Sequence, residues 1–323
     1  MEFAGPLLRV MPELGALSFP AEPLATCASC AMAPREPARE GEVAFTAPAR
    51  CCTFHPRLAN FLAGRALRRG GPGAERVRAR IAQGVGVGPI GIEPGPEWTS
   101  RWRTRSATSY GRDTALTCPY WVEGPYGCSI HQDRDAVCRM WHCKVAKGQR
   151  AQVAWSALGE LMAKLERRIA GWCAARLTLE DPERYYVACA ELVDAATDDE
   201  LQALRSDGLE QLLATARIRT TERDLSLPDI VTPRISDWVT FDDGVALASF
   251  SPYDRTLMPP WIFELLSRLD GVRTWRQAVD ETAAALNRPI PPEIVLWLWE
   301  RGLVGPPIPL EGSDEPVISV LPG

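Results

Sequence analysis

The sequence predicts a mostly α-helical protein with an irregular, metal-stabilised, cysteine-rich N-terminal domain and an α+β, winged-helix-like C-terminal domain. Three observations lead to this prediction. All three histidines and most of the ten cysteines fall between residues 27 and 143. Helical apolar periodicity dominates residues 150–216. Two short strand-like segments and three further helical segments follow between residues 238 and 302.

Composition places the chain among ordinary globular proteins. It has 323 residues, of which 46% are hydrophobic and 24% are charged, enough for two domains with a sizeable core. The formal net charge of −5 makes nucleic acid an unfavourable partner for the chain as a whole. No segment is apolar over the length of a bilayer crossing, and the acidic, proline-broken N-terminus lacks a signal-peptide pattern. These features predict a cytoplasmic protein with no membrane partner, in which clustered cysteines indicate metal or redox chemistry more than disulfides.

The clustered cysteines have the spacing of metal ligands. Cys27 and Cys30 form a CxxC pair, and adjacent Cys51 and Cys52 are followed by His55 at helical spacing. Thiolate sulfur and imidazole nitrogen are the ligands that zinc, iron and iron–sulfur clusters select. The predicted metal ligands are Cys27, Cys30, Cys51, Cys52, Cys118, Cys128, Cys138 and Cys143.

The histidines and two charged residues have alternative roles. His55, His131 and His142 either bind the metal directly or orient its ligands through hydrogen bonds. Arg134 and Asp135 either orient ligands in the same way or form an ordinary ion pair at the start of a helix. Cys173 and Cys189 lie in helical apolar patterns, so they are predicted to be core residues.

The order of these motifs resembles a known family. CxxC, then CC, then the stretch from Cys118 through GCSIH to CRMWHC is similar to the YkgJ-type zinc- or iron-chelating cysteine-cluster proteins, over about residues 24–150. Two features depart from the family pattern: about twenty residues separate Cys30 from Cys51, and His131 and Asp135 replace a tyrosine and a proline. The resemblance implies metal binding, and some larger relatives of this cysteine pattern modify proteins.

The chain divides into six predicted parts. Within the cysteine-rich part, residues 57–112 carry eleven arginines and three glutamates, with helices near 57–69 and 74–83 followed by a glycine-proline loop. The tract WTSRWRTR at 98–105 is consistent with stacking on a nucleic-acid strand, with binding an anionic peptide, or with a solvated basic face, which is the interpretation we favour. The parts are an irregular segment (1–23), a metal-binding domain (24–150), a helical extension packed on it (151–220), a linker (221–234), a winged-helix-like domain (235–307) and an irregular tail (308–323).

Turn and cap residues define the helical extension and the last domain. Helices are predicted at about 150–176, 180–196 and 198–216, with Asp198 as a possible cap of the third. WVTFDDGVALASF predicts a hairpin around Asp243 and Gly244. Three helices follow in PPWIFELLSRLDG, TWRQAVDETAAALN and PPEIVLWLWERG, and a wing strand begins near Leu303.

Residues 235–307 resemble the PqqD-like domains that recognise leader peptides. The phrases LLSRLDGVRTWRQAV and LWLWERGLV carry this resemblance. It implies that a peptide pairs with the hairpin edge and enters a groove beside the third helix. The implied peptide-binding residues are Val239, Phe241, Val245 and Leu247 at the edge, and Leu296, Trp297 and Trp299 in the groove.

Two classes of function therefore remain open. The chain is a metal-binding protein, with iron or an iron–sulfur cluster, that holds a peptide or protein and modifies it or assists its modification. Alternatively, it is a non-catalytic, zinc-stabilised binding or adaptor module. A nucleic-acid-binding regulator is less favoured, because the segment from Arg234 to Arg301 has seven basic and ten acidic residues, a net charge of −3. No catalytic motif appears, and the sequence leaves open whether the chain is an enzyme and which oligomeric state it adopts.

Overall fold

The structure, a computed structural model, describes residues 5–18, 30, 32–34, 44–124, 127–142, 148–222, 226–249 and 255–307. The predicted tail at 308–323 and the cysteines at 27 and 143 lie outside the described residues. The helices are α1 (Gly5–Val10), α2 (Asn60–Arg69), α3 (Gly71–Gln83), α4 (Pro96–Ser109), α5 (Ala136–Met140), α6 (Gly148–Ala174), α7 (Pro182–Ala195), α8 (Asp198–Gln202), α9 (Asp207–Glu222), α10 (Ile262–Leu266), α11 (Trp275–Leu286) and α12 (Glu293–Glu300). The strands are β1 (Leu58–Ala59), β2 (Val87–Gly88), β3 (Gly91–Ile92), β4 (Thr232–Pro233), β5 (Asp237–Phe241), β6 (Gly244–Ala248), β7 (Thr256–Met258) and β8 (Val304–Gly305).

The described part of the chain is mostly helical with small antiparallel sheets, which confirms the predicted balance of secondary structure. In this part, no helix has both the length and the apolar character that a bilayer crossing requires.

The N-terminal two thirds of the chain is built around one continuous apolar core. Apolar side chains from Leu7 to Ala216 belong to it, with α2, α6, α7 and α9 as its main elements. The helices α2 and α7 approach closely at Gly64, where an added Cβ would collide with the backbone carbonyl of Tyr186. The predicted cysteine-rich domain and helical extension therefore share a single interior, because neither has enough apolar surface to bury alone.

Two predictions about this region are wrong, and one helix was missed. Residues 5–16 are not irregular: α1 and a following 3₁₀ turn place Leu7, Val10 and Leu14 in the main core. The fourteen-residue helix α4, which follows the glycine-proline loop, was not predicted. The single helix predicted at 198–216 is two helices, and Thr197, not Asp198, caps the first through a capping box with Glu200. Docking against neighbours stabilises short helices that local sequence signals alone leave undecided.

The C-terminal region has a core of its own. β5, β6 and β7 form an antiparallel sheet with β6 in the centre, and α10, α11 and α12 cover it. Thr232 pairs with Gly305 and Pro233 with Val304, so β4 and β8 join the two ends of this region. Val231 is fully buried in the same core, so the domain begins inside the predicted 221–234 linker.

The two cores meet at the start of α6. Gln149 donates a backbone hydrogen bond of 3.3 Å to the carbonyl of Arg301, at the end of α12. Gly148 has a positive φ of 61° and lies against that carbonyl so closely that a Cβ would collide with it. This contact brings the C-terminal domain next to the stretch of chain that follows the predicted ligands Cys138 and His142.

Candidate metal centre

Four cysteines from three separate stretches of sequence lie near one another in the N-terminal core. The backbone N–H of Cys118 donates to the carbonyl of Cys52 at 2.6 Å, which joins the first stretch to the second. Cys128 forms an antiparallel bridge with Trp121, three residues after Cys118. Cys138 is near enough to Cys118 and Cys128 for their charges to affect its pKa. Local spacing could not establish this arrangement, because up to 86 residues separate its members.

A short 3₁₀ turn positions the first pair. The turn runs over Arg50–Thr53 and brings the Cys51 thiol into contact with that of Cys52. Thr53 is fully buried, and its hydroxyl accepts the N–H of Gly111 at 2.7 Å. That bond ties the turn to the segment that leads into Cys118.

A tight antiparallel turn positions Cys118 and Cys128. Val122 donates to the carbonyl of Gly127, and Ser129 donates to the carbonyl of Tyr120, at 3.3 and 3.0 Å. Within this turn, the backbone N–H groups of Tyr120 and Trp121 lie near the Cys118 sulfur and act to lower its pKa. Such N–H donors favour the thiolate form of a cysteine, which is the form that binds metal.

Cys138 lies in the first turn of α5. Asp135 caps this helix by accepting the backbone N–H of Cys138 at 3.1 Å, and its buried carboxyl also contacts the Cys138 thiol. Asp135 therefore orients a predicted ligand, one of the two roles that the sequence left open. Arg134 donates to the carbonyl of His131 at 3.0 Å, so in this structure its guanidinium braces the preceding turn.

The protein environment favours the protonated form of the Cys52, Cys118 and Cys138 thiols. Contact with the Cys51 thiol, burial, and the nearby Cys118 and Cys128 together raise the pKa of Cys52 far above its usual range. Burial raises the pKa of Cys118 to about 12, and burial followed by Asp135 and Cys118 raises that of Cys138. Ionised thiols at this place would repel one another, and a bound cation is the natural compensation for several thiolates.

The described residues contain no complete set of metal ligands. Among them, no group of three or more cysteine, histidine, aspartate or glutamate side chains is arranged to hold a metal ion. None of the eight cysteines in this part of the chain forms a disulfide. The donors nevertheless fit a metal in chemistry, because they are soft sulfur ligands, with Cys118 buried and Cys52, Cys128 and Cys138 half-buried. The predicted ligands Cys27 and Cys143 lie outside the described residues. Cys30 and Cys51 border a small separate core with Met32, Phe45 and Tyr110.

The three histidines occupy different places. His55 stacks on Trp98 at 4.6 Å and donates from Nε2 to the carbonyl of Thr117 at 2.8 Å, and burial lowers its pKa to about 4. Its Nδ1 is therefore an acceptor, and it has no hydrogen-bond partner in the described part of the chain. His131 is exposed near Arg134 and Arg139. His142 packs on Trp155, with 4.7 Å between ring centroids.

The aromatic and basic tract is part of this packing. Trp98 and Trp102 stack on each other at 5.1 Å and make edge contacts with Phe54, which lies beside the Cys51–Cys52 turn. Arg103 and Arg105 are exposed on the same helix, α4. The tryptophans are thus engaged within the fold, which agrees with a solvated basic face better than with a stacking platform for nucleic acid.

Sequence reasoning missed three buried polar residues around the thiols. Arg80 of α3, Tyr120 and Glu166 of α6 are all at least nine-tenths buried. Glu166 accepts the backbone N–H of Ala136 at 2.9 Å, and burial and then Asp135 raise its pKa to about 8. Arg80 follows the apolar residues of its helix at regular helical spacing, and that single basic residue on a buried face was the signal available in the sequence. Cys173 and Cys189 are fully buried between α6 and α7, as predicted.

The predicted peptide-binding residues separate into exposed and buried sets. β5 pairs on one side with β6, and in the described part of the chain its other side has no strand partner. Val239 and Phe241 lie on this edge strand and are half-buried, while Leu296 and Trp297 are 47% and 37% exposed.

Three of these assignments are wrong. Val245 and Leu247 lie on the central strand β6, pair on both sides and are buried, so they offer no edge. Trp299 is a core residue, 4% exposed. Trp238 on β5, absent from the predicted set, is 57% exposed. The sequence predicted a two-stranded hairpin, but the sheet has a third strand, β7. Because β7 pairs with β6, β6 is a central strand and not an edge strand.

No protein-family model, curated protein or solved structure matches this chain.

Proposed function

We propose that this protein binds a metal through the thiolates of Cys52, Cys118, Cys128 and Cys138, holds a peptide or protein at its C-terminal domain, and modifies it or assists its modification. The observation that carries the proposal is that these cysteines come together from three separate stretches of the chain around the buried Cys118. Thiolates that meet in this way are the ligands that zinc and iron select.

Several features support the metal. The backbone N–H groups near Cys118 favour its thiolate form, whereas burial without a nearby cation favours its protonated form. A bound metal ion would supply that cation and stabilise the thiolate. The resemblance to the YkgJ-type pattern rests on the same cysteines. Cys27, Cys30, Cys51 and Cys143 would supply a second set of ligands. Iron or an iron–sulfur cluster would bring redox chemistry, whereas zinc bound by four thiolates would stabilise the fold.

The C-terminal domain supports peptide recognition. An extended peptide can add to the edge strand β5 through backbone hydrogen bonds, and Trp238 offers an exposed apolar contact on that strand. Three strands followed by three helices fit the PqqD-like, winged-helix-like architecture that the sequence suggested. The net charge of −3 over the segment from Arg234 to Arg301 favours a peptide over DNA.

A second function is favoured by one specific observation. Cys118 is only 7% exposed, while Cys52, Cys128 and Cys138 are half-buried. Restricted access to a ligand favours a structural zinc site, which is closed to substrate. In that case the protein is a zinc-stabilised adaptor that presents the peptide-binding domain.

The test of metal binding is elemental analysis of protein purified without oxygen, together with its visible spectrum. We expect bound metal in the wild type and a clear loss in Cys128→Ser and Cys138→Ser. Cys173→Ala is the matched control, because Cys173 is a buried thiol outside the cluster, and it should keep full occupancy. Iron with sulfide and brown colour selects the redox function, and colourless protein with zinc selects the adaptor. Metal-free wild-type protein would contradict both.

Peptide recognition is tested separately with a displayed random-peptide library. Peptides enriched on the wild type should be lost on Val239→Pro, because proline removes a backbone N–H and disturbs the edge strand. Val272→Ala, a change at an apolar residue that is 80% exposed away from β5, should retain them. A library without enrichment on the wild type would rule out this part of the proposal.

A further inference from the structure

Two buried cysteines outside the cysteine-rich region lie against each other. Cys173 and Cys189 are the only cysteines that follow Cys143 in the chain, and both are fully buried. The Cys173 thiol donates to the carbonyl oxygen of Cys189 at 3.7 Å, and the two thiol groups contact each other. Neither is part of a disulfide. The fold therefore brings these two isolated cysteines to one place.

Two helices of the main core supply the pair. Cys173 lies in the last turn of α6 and Cys189 in the middle of α7, 16 positions apart in sequence. The helix α6 also packs against α5, which carries Cys138, and α7 packs against α2. A covalent bond between the two sulfur atoms would join two of the helices that build this core.

The two thiols differ in acidity. The Cys173 thiol lowers the pKa of Cys189 against the opposing effect of burial, and Tyr185 lowers it further. Contact with Cys189, together with burial, raises the pKa of Cys173. Because the thiolate is the nucleophile in cysteine chemistry, we expect Cys189 to react before Cys173.

We propose that Cys173 and Cys189 are a dithiol that closes to a disulfide when a peroxide reaches the core. The Cys189 thiolate attacks one oxygen of hydrogen peroxide, which forms a sulfenic acid and releases hydroxide. The Cys173 sulfur then displaces the sulfenic hydroxyl group, which leaves as water with the Cys173 proton. In total the two thiols lose two electrons and two protons, and hydrogen peroxide becomes two molecules of water. This reaction does not depend on the proposed metal function.

The end of α6 offers a route for the oxidant. Cys173 directly precedes Ala174, the last residue of this helix. Helix ends open locally at a lower free energy than the middle of a packed helix does, and hydrogen peroxide is little larger than water. Oxidation should therefore be slow and should follow the opening of the last turn of α6.

Packing alone is the competing explanation for the pair. Free cysteines behave as small apolar residues and are among the most buried residue types. On this explanation the two thiols stay reduced in the folded protein when peroxide is added. A redox-active pair would instead close and reopen, as the transient disulfides of redox-sensing proteins do.

The experiment treats the folded, reduced chain with hydrogen peroxide, blocks the remaining thiols with iodoacetamide in urea, and maps the tryptic peptides by mass spectrometry. Trypsin cleaves after Arg176 and Arg184, so the two cysteines lie on separate peptides. We expect these peptides to be joined through Cys173 and Cys189, and dithiothreitol to release them. The oxidised protein should also unfold at a higher urea concentration than the reduced protein, because the cross-link restricts the unfolded chain.

Two variants test the order of the steps. In Cys173→Ser the serine hydroxyl keeps a hydrogen-bond donor, so Cys189 should stop at the sulfenic acid, which dimedone traps. In Cys189→Ser, Cys173 should remain an unmodified thiol. Peroxide should raise the urea midpoint of the wild type more than that of Cys173→Ser, in which every other cysteine is retained.

The peptide map of the wild type decides the proposal without any variant. Separate peptides from the peroxide-treated folded protein, with both cysteines alkylated, would overturn it. A cross-link that forms in urea-unfolded protein but not in folded protein would also overturn it, because the native contact would then play no part. A sulfenic acid at Cys173 in Cys189→Ser, with none at Cys189 in Cys173→Ser, would contradict the assignment of Cys189 as the attacking thiol.

Discussion

The two cores of this protein handle polar groups in opposite ways. The N-terminal core encloses Arg80, Asp133, Asp135 and Glu166 together with the clustered thiols. The C-terminal core is almost entirely apolar, and that domain instead leaves Trp238, Leu296 and Trp297 at its surface. Buried ionisable groups lower stability and persist where chemistry needs them, while exposed aromatic residues are typical of binding surfaces. This contrast supports the proposal of chemistry in the interior of one region and recognition at the surface of the other.

The largest expected effect tests the apolar character of the C-terminal core. Trp299→Ala should lower the free energy of unfolding by about 3–5 kcal/mol, because it empties a large volume of the core. Trp297→Ala, two residues earlier on the same helix but 37% exposed, should cost less than about 1 kcal/mol while weakening peptide binding. Urea unfolding followed by circular dichroism measures both. Equal losses would show that the two faces of α12 are not distinct.

The packing of the N-terminal core can be broken at one glycine. Gly64→Ala should lower the free energy of unfolding by about 3 kcal/mol or more, because the new methyl group would force α2 away from α7 at the Tyr186 carbonyl. Gly171→Ala in α6 is the control, since nothing lies within 4 Å of its added Cβ. That variant should gain about 0.5–1 kcal/mol from helix propensity. Thermal unfolding measures the stability of both variants. Equal changes in the two would contradict the close contact between α2 and α7 at Gly64.

The buried carboxyl of Glu166 should make the stability of the N-terminal core depend on pH. Because its pKa is raised from 4.5 to about 8 by burial and then by Asp135, its contribution to stability is present below pH 4.5 and is lost as pH rises through 8. Metal-free Glu166→Gln should therefore exceed the wild type in stability by about 1–3 kcal/mol at pH 8, and this advantage should disappear toward pH 4.5. Urea unfolding across that range measures the difference. Glu160→Gln, on the exposed face of α6, should show no such trend.

The smallest expected changes in stability come from corresponding helix caps, one in each region. Thr197 and Thr274 each form a capping box, with Glu200 and Gln277 respectively. Thr197→Ala and Thr274→Ala should each cost about 1 kcal/mol. Hydrogen exchange should then increase mainly around α8 in the first variant and around α11 in the second, since each region has its own core. Exchange that rises throughout the chain in both variants would show that the regions unfold as one unit.

Much of the secondary structure could be predicted from local pattern. The long helix α6, the hairpin of β5 and β6, and the helix that ends before Gly302 follow from apolar periodicity and turn residues. The helix predicted to stop at Gly271 ends earlier, at Leu266. The helix α4 and the short helix α1 could not, because the first is rich in arginine and glycine-proline flanks it, and the second gains its stability from burying Leu7 and Val10 against other helices.

The candidate sites show the same division between what local sequence pattern predicts and what it does not. The sequence was sufficient to single out the cysteines, because their number and spacing exceed what a core requires. It could not show that β6 is a central strand, since the third strand β7 is only three residues long. Nor could it single out Arg80 as buried, because ten other arginines share its stretch and the helical spacing behind Ala74 and Val77 is its only local signal.

By itself, the sequence determined a cysteine-rich region, a helical middle, a strand-and-helix C-terminal domain and an acidic net charge. Those properties depend on residue type and short-range spacing, which are present before the chain folds. Only the tertiary structure decided which cysteines meet, which strand is the edge, and which charged residues are buried. These depend on contacts between residues far apart in sequence, whose free energies exist only once the cores have formed.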